Sequence, residues 1–223
     1  MLNLLIQILV LPFPWAIRRT VLSTFLKFEL HKDSFVGKSL ILSRRVVLDK
    51  GARIGNLTVI KGLDLVQLGA DSHLGNLNWV TGFPTGTSSP HFADQPERSA
   101  HLRIGDHSAV TNRHLIDCTG GVSIGRFCTF AGFRSQILTH SIDIGEARQR
   151  ATPVSIGDYC FVGTGSMLLP GASLPSYCVL GANSVLNKTL SAEYVLYAGN
   201  PAREIKKLDQ GAKYFSRVRG FVV

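Results

Sequence analysis

The sequence predicts an all-β solenoid, and three observations support this prediction. In segment 156–188 an aliphatic residue returns at every sixth position, as Ile156, Val162, Leu168, Leu174, Leu180 and Leu186. A small residue stands four positions after each of the first five, as Cys160, Ser166, Ala172, Cys178 and Ser184. Glycine directly follows three of the aliphatic residues. A six-residue period fits neither a helix nor an alternating strand, and hexapeptide repeats are typical of β-helices.

Each hexapeptide is interpreted as one short strand and one turn, so that three hexapeptides make one triangular coil. The aliphatic residue points inward and stacks on its equivalent in the next coil, and the small residue fills a corner. Glycine suits the turn because it tolerates positive φ. Because each coil contacts mainly its neighbours, stability accumulates along the stack.

The repeats extend over 35–193 with two interruptions. Aliphatic positions begin as Val36, Leu42, Leu48, Ile54 and Ile60, slip by two, and continue as Leu68, Leu74 and Val80. They return as Ile104, Val110 and Ile116, slip again, and continue as Ile124 and Phe130. Polar, Gly- and Pro-containing insertions at 81–101 and 140–153 break the pattern and predict loops. Long loops on a regular scaffold are frequently functional, so His91, Phe92, Asp94 and Arg98 are candidates to meet an acceptor or a neighbouring subunit.

The first 34 residues predict an amphipathic helical leader, interrupted at Pro12 and Pro14. Its apolar run is too short to span a bilayer and lacks the order of a signal peptide. From residue 15 to 30 apolar residues form one broad face, and Arg18, Arg19 and Lys27 lie elsewhere. The leader caps the first coil of the solenoid, lies through residues 1–30 on an anionic membrane surface, or does both. Residues 194–223 predict a final strand and a short C-terminal helix.

The composition limits which binding partners and which cellular compartment are expected. The net charge of +9 over 223 residues indicates an anionic partner or surface. No nucleic-acid motif is present, which disfavours a nucleic-acid partner. Cys128, Cys160 and Cys178 occupy small-residue positions of the repeat, so they are expected in the core rather than in disulfides. We therefore expect a reducing, cytoplasmic compartment, with peripheral membrane attachment as the alternative that the leader leaves open.

Two motifs give the repeats a resemblance. Thr139-His140-Ser141-Ile142-Asp143 precedes a repeat that opens with Pro153, and Asn200-Pro201-Ala202-Arg203 closes the last coil. Over about 35–207 the chain resembles the hexapeptide-repeat acyltransferases, in particular the colanic acid, maltose and galactoside acetyltransferases. The resemblance implies a left-handed parallel β-helix, acetyl-CoA as acyl donor without a metal, and a homotrimer. It also implies transfer to a hydroxyl of a sugar or glycan in polysaccharide or glycolipid synthesis.

His140 is the expected general base. It stands where a strand gives way to a polar loop, and an unperturbed imidazole titrates near ~6.5. No G-x-S-x-G motif is present to support a covalent serine mechanism. Asp143 and Asp117 are both candidates to orient the imidazole. His114, at a position where small residues usually stand, and Phe161, where the family often has Trp, are the substrate-binding candidates.

The resemblance also implies a donor site. Residues matching the family's backbone rail for the pantetheine arm are Gly163, Thr164, Gly165, Gly181 and Ala182. Lys188 and Arg203 match basic positions near the phosphates of CoA, for which Lys and Arg have suitable chemistry. Lys206 and Lys207 are expected on the solvated face of a helix.

Three other functions compete with sugar O-acetylation. N-acylation of an amino sugar uses the same base and donor, and only the acceptor pocket distinguishes it. A γ-type carbonic anhydrase needs three histidines on zinc, and His101, His107, His114 and His140 lack the required spacing. A non-catalytic binding protein would use only the basic surface.

Overall fold

The computed structural model of the protein describes residues 2–222 and confirms the predicted left-handed parallel β-helix. Its coils have three faces, which we call A, B and C in the order in which each coil passes through them. The corners between them are called AB, BC and CA. Face A consists of strands Phe35–Val36, Arg53–Ile54, His73–Leu74, Ala109–Val110, Thr129–Phe130, Phe161–Val162, Val179–Leu180 and Val195–Ala198, with Arg203–Lys207 antiparallel at its end.

Faces B and C form one sheet because two long strands, Leu40–Leu48 and Val59–Leu68, run through both of them. Face B continues as Trp79–Thr81, Leu115–Asp117, Gln136–Ile137, Met167–Leu168 and Val185–Leu186. Face C contains Glu29–Leu30, His101–Ile104, Val122–Ile124, Val154–Ile156 and Ser173–Leu174. A two-stranded antiparallel hairpin, His140–Asp143 with Arg148–Ala151, projects from the coils.

The core is the inward stack that the repeat predicted, with one exception. All the predicted aliphatic positions are buried except Leu42, where the assignment was wrong. Ile41 points inward instead, because the pairing of the two long strands shifts between Leu42 and Ser43.

Cys128, Cys160 and Cys178 are core residues, as expected, and Cys118, for which the repeat made no prediction, is one as well. Cys118, Cys128, Cys160 and Cys178 are free and buried. At corner CA the thiol of Cys128 donates to Gly157 O of the next coil at 2.9 Å. At the equivalent position one coil earlier, the hydroxyl of Ser108 donates to Gly125 O at 2.6 Å. Cysteine therefore replaces serine in a repeated corner interaction.

The two slips in the period are additions at corners. In the last coils Phe161 pairs with Val179, three hexapeptides later, whereas Arg53 pairs with His73 at a longer interval. The large insertions both leave the solenoid at corner BC. Segment 81–101 connects face B to face C in one coil, and the 140–151 hairpin does so two coils later.

Two helices, α1 (Leu2–Val10) and α2 (Trp15–Phe25), cap the open N-terminal coil. The side-chain amide of Gln7 donates to Ile41 O and accepts from Ile41 N–H, both at 2.8 Å. Arg18 is buried and donates to Gly37 O at 2.6 Å. No helix within residues 2–222 is long and apolar enough to cross a membrane.

The leader packs with both apolar and polar residues. Leu22 and Phe28 of the predicted apolar face are buried, and so is Arg18, which was expected elsewhere. Ile17 and Phe25 are exposed. The open coil presents backbone groups without strand partners, and the polar side chains of Gln7 and Arg18 satisfy some of them.

The C-terminal tail returns along corner CA. Its predicted helix is a single 3-10 turn, Lys213–Ser216, and Lys206 and Lys207 lie on an exposed strand, not on a helix. The tail covers a column of stacked rings, one per coil, formed by His107, Phe127, Tyr159, Tyr177 and Tyr194. Phe215 packs edge-on against the last two rings.

Candidate active site

The site lies at corner BC, where loop 81–101 folds over the 140–151 hairpin. The Gln95 amide donates to Ala151 O and accepts from Ala151 N–H, each at 2.9 Å. Asp94 forms an ion pair with Arg150 of the hairpin. Two insertions that are distant in sequence therefore form one wall above corner BC.

Between the two insertions, the intermediate coil turns the same corner with Gly120 and Gly121. A Cβ atom on Gly120 would lie 2.9 Å from Thr139 O and from Thr152 N. Gly121 has φ +93°, a conformation that favours glycine. This tight turn lets the coil of Asp117 approach the start of the hairpin.

Asp117, at the end of its face B strand, is buried and accepts hydrogen bonds from two threonines. Thr139 donates to Oδ2 through N–H and Oγ1, both at 2.8 Å. Thr119 donates to Oδ1 through N–H at 3.1 Å and Oγ1 at 2.6 Å. Burial alone would raise the pKa of Asp117, but the bonds from His140, Thr119 and Thr139 outweigh it and hold this pKa well below its usual range.

His140 completes this network. Its Nδ1 lies 2.7 Å from Asp117 Oδ2. An ionised carboxylate can only accept, so Nδ1 carries a proton, and in the neutral imidazole Nε2 then keeps its lone pair. The hydrogen bond to Asp117 raises the pKa of His140, while burial and the charge of Arg98 act in the opposite direction. The His140 side chain is 42% exposed, so a basic nitrogen is accessible at the corner.

The other side of the His140 ring meets the loop. The edge of Phe92 contacts it in a T-shaped arrangement with ring centroids 6.2 Å apart. Arg98 stacks on Phe92, 4.6 Å from the ring centroid, and donates to Thr119 O at 2.7 Å. A carboxylate on one side and an aromatic ring on the other therefore fix the imidazole.

A cavity of about 620 Å³ opens between the loop and the hairpin. Phe92, which touches His140, and Ile142 of the hairpin contribute its apolar surface. Its polar lining comes from His91, Asp94, Arg148 and Gln149. Such a mixture of apolar and polar groups is typical of small-molecule sites.

Three of the predicted site residues lie away from His140. Asp143 is in the hairpin, where its Oδ1 accepts from Glu146 N–H at 3.1 Å. His114 is buried, with Nε2 3.0 Å from Thr111 Oγ1 and Nδ1 accepting from Ser135 N–H at 3.2 Å. Burial lowers the pKa of His114 to about 4. Phe161 lies on face A against Tyr214 of the tail.

The expected donor residues gather at corner AB. Gly163, Thr164, Gly165, Gly181 and Ala182 occupy this corner in the two coils after that of His140, and Ala182 is exposed. Arg203 begins the antiparallel strand below them, and Lys188 lies at corner BC; both are exposed.

Coil stacking itself accounts for two of these glycines. A Cβ on Gly163 would lie 2.5 Å from Ala182 N, and one on Gly181 would lie 2.9 Å from Ala198 Cβ. Their small size is required by the neighbouring coil. A donor along this corner would therefore meet exposed backbone and side chains rather than the space left by a missing Cβ.

The histidines named for a zinc site are dispersed. His101 contacts Ser99 and Ser123, and His107 stacks on Phe127. His114 and His140 have the separate partners described above. Within residues 2–222 no group of three or more His, Cys, Asp or Glu side chains is arranged to hold a metal ion.

Sequence reasoning missed Thr119, Thr139 as a partner of Asp117, and the stack of Arg98 on Phe92. Thr139 stands next to His140, but its contact with Asp117 depends on register between coils. Because that register includes an irregular corner, with Leu115 paired to Gln136, spacing alone does not predict the contact.

Comparisons with known proteins support the recognised resemblance. The family described as "Hexapeptide repeat of succinyl-transferase" matches residues 153–188. Saccharomyces cerevisiae YJL218W, provisionally named an acetyltransferase, is 28% identical over 56% of this chain and 67% of its own length. The provisionally named colanic acid biosynthesis acetyltransferase WcaF of Escherichia coli is 32% identical over 48% of this chain. The chain spans 58% of WcaF.

Solved structures share the fold at low identity. The D94A variant of AntD, an N-acyltransferase of Bacillus cereus in complex with dTDP and coenzyme A, has a TM-score of 0.54 at 14% identity. The alignment covers 86% of this chain and 89% of AntD. A second B. cereus structure, the BC4754 gene product, has a TM-score of 0.53 at 16% identity, covering 80% and 86% of the two chains. These similarities show a common fold.

Proposed function

We propose that the chain is an acyl-CoA-dependent acetyltransferase that acts on a sugar hydroxyl, with His140 as general base. The main support is the His140–Asp117 pair. In the neutral imidazole it leaves Nε2 free to accept a proton, on a side chain that is 42% exposed and that contacts Phe92 of the cavity wall. The relatives named acetyltransferases and the fold shared with a CoA-bound N-acyltransferase agree with this reaction class.

In the proposed reaction, His140 Nε2 takes the proton of the acceptor hydroxyl as the hydroxyl oxygen attacks the carbonyl carbon of the thioester. Asp117 stabilises the imidazolium that forms, and His140 then returns the proton to the departing thiolate. An ester bond forms and the thioester bond breaks, with no net change in protons on the protein. An amino sugar would use the same base and is the runner-up acceptor.

We place CoA along corner AB. Exposed Ala182 and Arg203 would offer a backbone-lined path and a cation for phosphate. Within one chain, however, corner AB and corner BC are separated by the whole of face B. A donor on the rail therefore meets the base only if corner BC of one copy faces corner AB of another.

Face B is exposed in the single chain but has the apolar composition of a subunit interface. Trp79 and Leu115, which point outward from it, are 46% and 41% exposed, and Val59, Met167 and Val185 are half-buried neighbours. We place this apolar face toward the axis of a homotrimer. Cyclic packing of three triangular prisms then brings corner BC of each copy against corner AB of the next, which would complete three identical sites.

The free cysteines agree with a cytoplasmic protein, and the leader suits peripheral attachment to a membrane. Helix α1 directs Gln7 inward, so its apolar side faces solvent: Leu5, Ile8 and Leu9 are 54%, 50% and 62% exposed. The exposed apolar surface and the basic chain suit an anionic lipid surface. We therefore favour a polysaccharide or glycolipid precursor as acceptor, the role that the name of WcaF carries.

The decisive experiment is CoA release from acetyl-CoA with a panel of sugar acceptors, measured for wild type and His140→Ala. Loss of the base should reduce kcat by about 10²–10⁴. His31→Gln, a partly exposed histidine near the leader, is the matched control and should retain activity. Retention of most CoA-dependent transfer by His140→Ala would refute the assignment.

A further inference from the structure

Two arginines stand at corner AB directly on the N-terminal side of the proposed donor rail. Arg113 and Arg134 have φ 59° and 63° in successive coils, and Arg134 N–H donates to Arg113 O at 3.0 Å. Asn183, in the same column of the corner, has φ 54°. The two arginines and the rail thus form one continuous column along the corner.

Both side chains are exposed and neither forms an ion pair within residues 2–222. Arg44 and Arg126, by comparison, are paired with Asp64 at 2.9 Å and with Asp158 at 2.8 Å. Successive parallel strands lie about 4.8 Å apart, so the two guanidinium groups can act on one ligand. Two adjacent unneutralised guanidiniums are suited to phosphate.

The two arginines and the donor rail lie in different coils along the solenoid axis, so they can bind different substrates. Arg134 belongs to the coil that leads into His140, and Arg113 belongs to the coil of Asp117. The rail residues occupy the next two coils toward the C-terminus. If the donor lies along the rail, the acceptor approaches from the side of Arg113, where loop 81–101 also lies.

We infer that Arg113 and Arg134 bind a phosphate or diphosphate group on the acceptor. The acceptor is then a sugar already linked through phosphate to a nucleotide or a lipid, rather than a free sugar. Phe133, 52% exposed beside Arg134, supplies an apolar contact for the group that carries the phosphate. The assignment rests on the proposed function, because the position of the donor defines the acceptor side.

The test is calorimetric titration of CoA and of inorganic pyrophosphate, the latter into CoA-saturated full-length protein. R113Q/R134Q is compared with wild type and with the charge-matched R53Q/R103Q, which alters exposed arginines on faces A and C. Thermal unfolding verifies that each variant is folded. We expect the Kd for pyrophosphate to rise at least about tenfold in R113Q/R134Q, with the control and the Kd for CoA changed by less than about twofold.

The other outcomes overturn the inference. Equal pyrophosphate binding by R113Q/R134Q and wild type, or none by wild type, removes the anion site. A tenfold weaker affinity for CoA in R113Q/R134Q assigns the arginines to the donor phosphates instead. If CoA binds and pyrophosphate does not, only this inference fails; if CoA does not bind, the proposed function fails with it.

Discussion

The carboxylate that binds His140 is determined by the direction in which the side chains point, not by nearness in sequence. Asp143 is three residues from His140 on the same strand, and an odd spacing places the two side chains on opposite faces. Asp117 comes from the preceding coil and lies 2.7 Å away. From the sequence, His140 could be named as the candidate base, whereas the choice between the two aspartates required the register of the coils.

Asp117→Asn should change the pH dependence of transfer as well as its rate. The raised pKa of His140 means that wild-type kcat/KM rises with pH through a pKa above the ordinary ~6.5 of histidine. Without the carboxylate this pKa falls, so the acidic limb should move to lower pH. The maximal rate should fall by about 10²–10⁴, because a neutral amide in place of the carboxylate no longer stabilises the imidazolium.

Asp143→Asn is the matched control for that profile, since Asp143 contacts the hairpin backbone rather than His140. It should leave the acidic limb in place. An unshifted limb in Asp117→Asn would show that Asp117 does not act on the titrating base. If the acidic limb moved as far in Asp143→Asn as in Asp117→Asn, Asp143 would also act on the titrating base.

Among the elements, the leader shows where hydrophobic patterning misleads. The sequence pattern predicted its existence, its helices and its interruption near Pro12. It did not predict the orientation, because the surface that the leader covers is an open coil end with free backbone groups. Gln7 and Arg18 form hydrogen bonds with those groups. Leu22 and Phe28 enter the core, whereas Leu5, Leu9 and Phe25 stay exposed.

The exposed apolar face of α1 should bind lipid. Leu5→Gln/Ile8→Gln/Leu9→Gln should reduce co-sedimentation with vesicles of phosphatidylglycerol and phosphatidylcholine by at least about tenfold, since burying one such side chain contributes about 1.5–3 kcal/mol. Leu57→Gln alters an equally exposed leucine at corner AB and should not reduce it.

Two results would contradict lipid binding by α1. If the triple variant co-sedimented with vesicles as well as wild type does, the exposed face of α1 would not be the lipid-binding surface. A wild-type assembly larger than a trimer that the triple variant dissociates, measured by light scattering, would show that α1 packs on other copies of the chain.

For the whole molecule, the six-residue period predicted the architecture because each coil repeats the same packing problem. It predicted the three-faced stack, the buried cysteines and the places where the insertions leave. It could not predict that loop 81–101 folds onto the hairpin, because the Gln95–Ala151 and Asp94–Arg150 contacts join non-repeating segments. The repeat thus determines the scaffold, and the insertions form the wall beside His140.

The proposed division of the site between two corners makes a prediction about mixed trimers. His140→Ala removes the base at corner BC, and Ala182→Trp places a bulky side chain on the exposed rail at corner AB. Each variant alone should be inactive. The two are co-expressed with different tags, and hybrid trimers are isolated by two successive affinity steps, with light scattering to establish the oligomeric state.

In either hybrid composition, a cyclic trimer contains one junction at which an intact His140 faces an intact rail. Hybrids should therefore recover about one third of the wild-type kcat per trimer, because a heterologous ring has three equivalent junctions. If base and rail acted within a single chain, every chain in the hybrid would carry one defect and no activity would return. The recovered fraction consequently distinguishes a shared site from an internal one without requiring the acceptor's full identity.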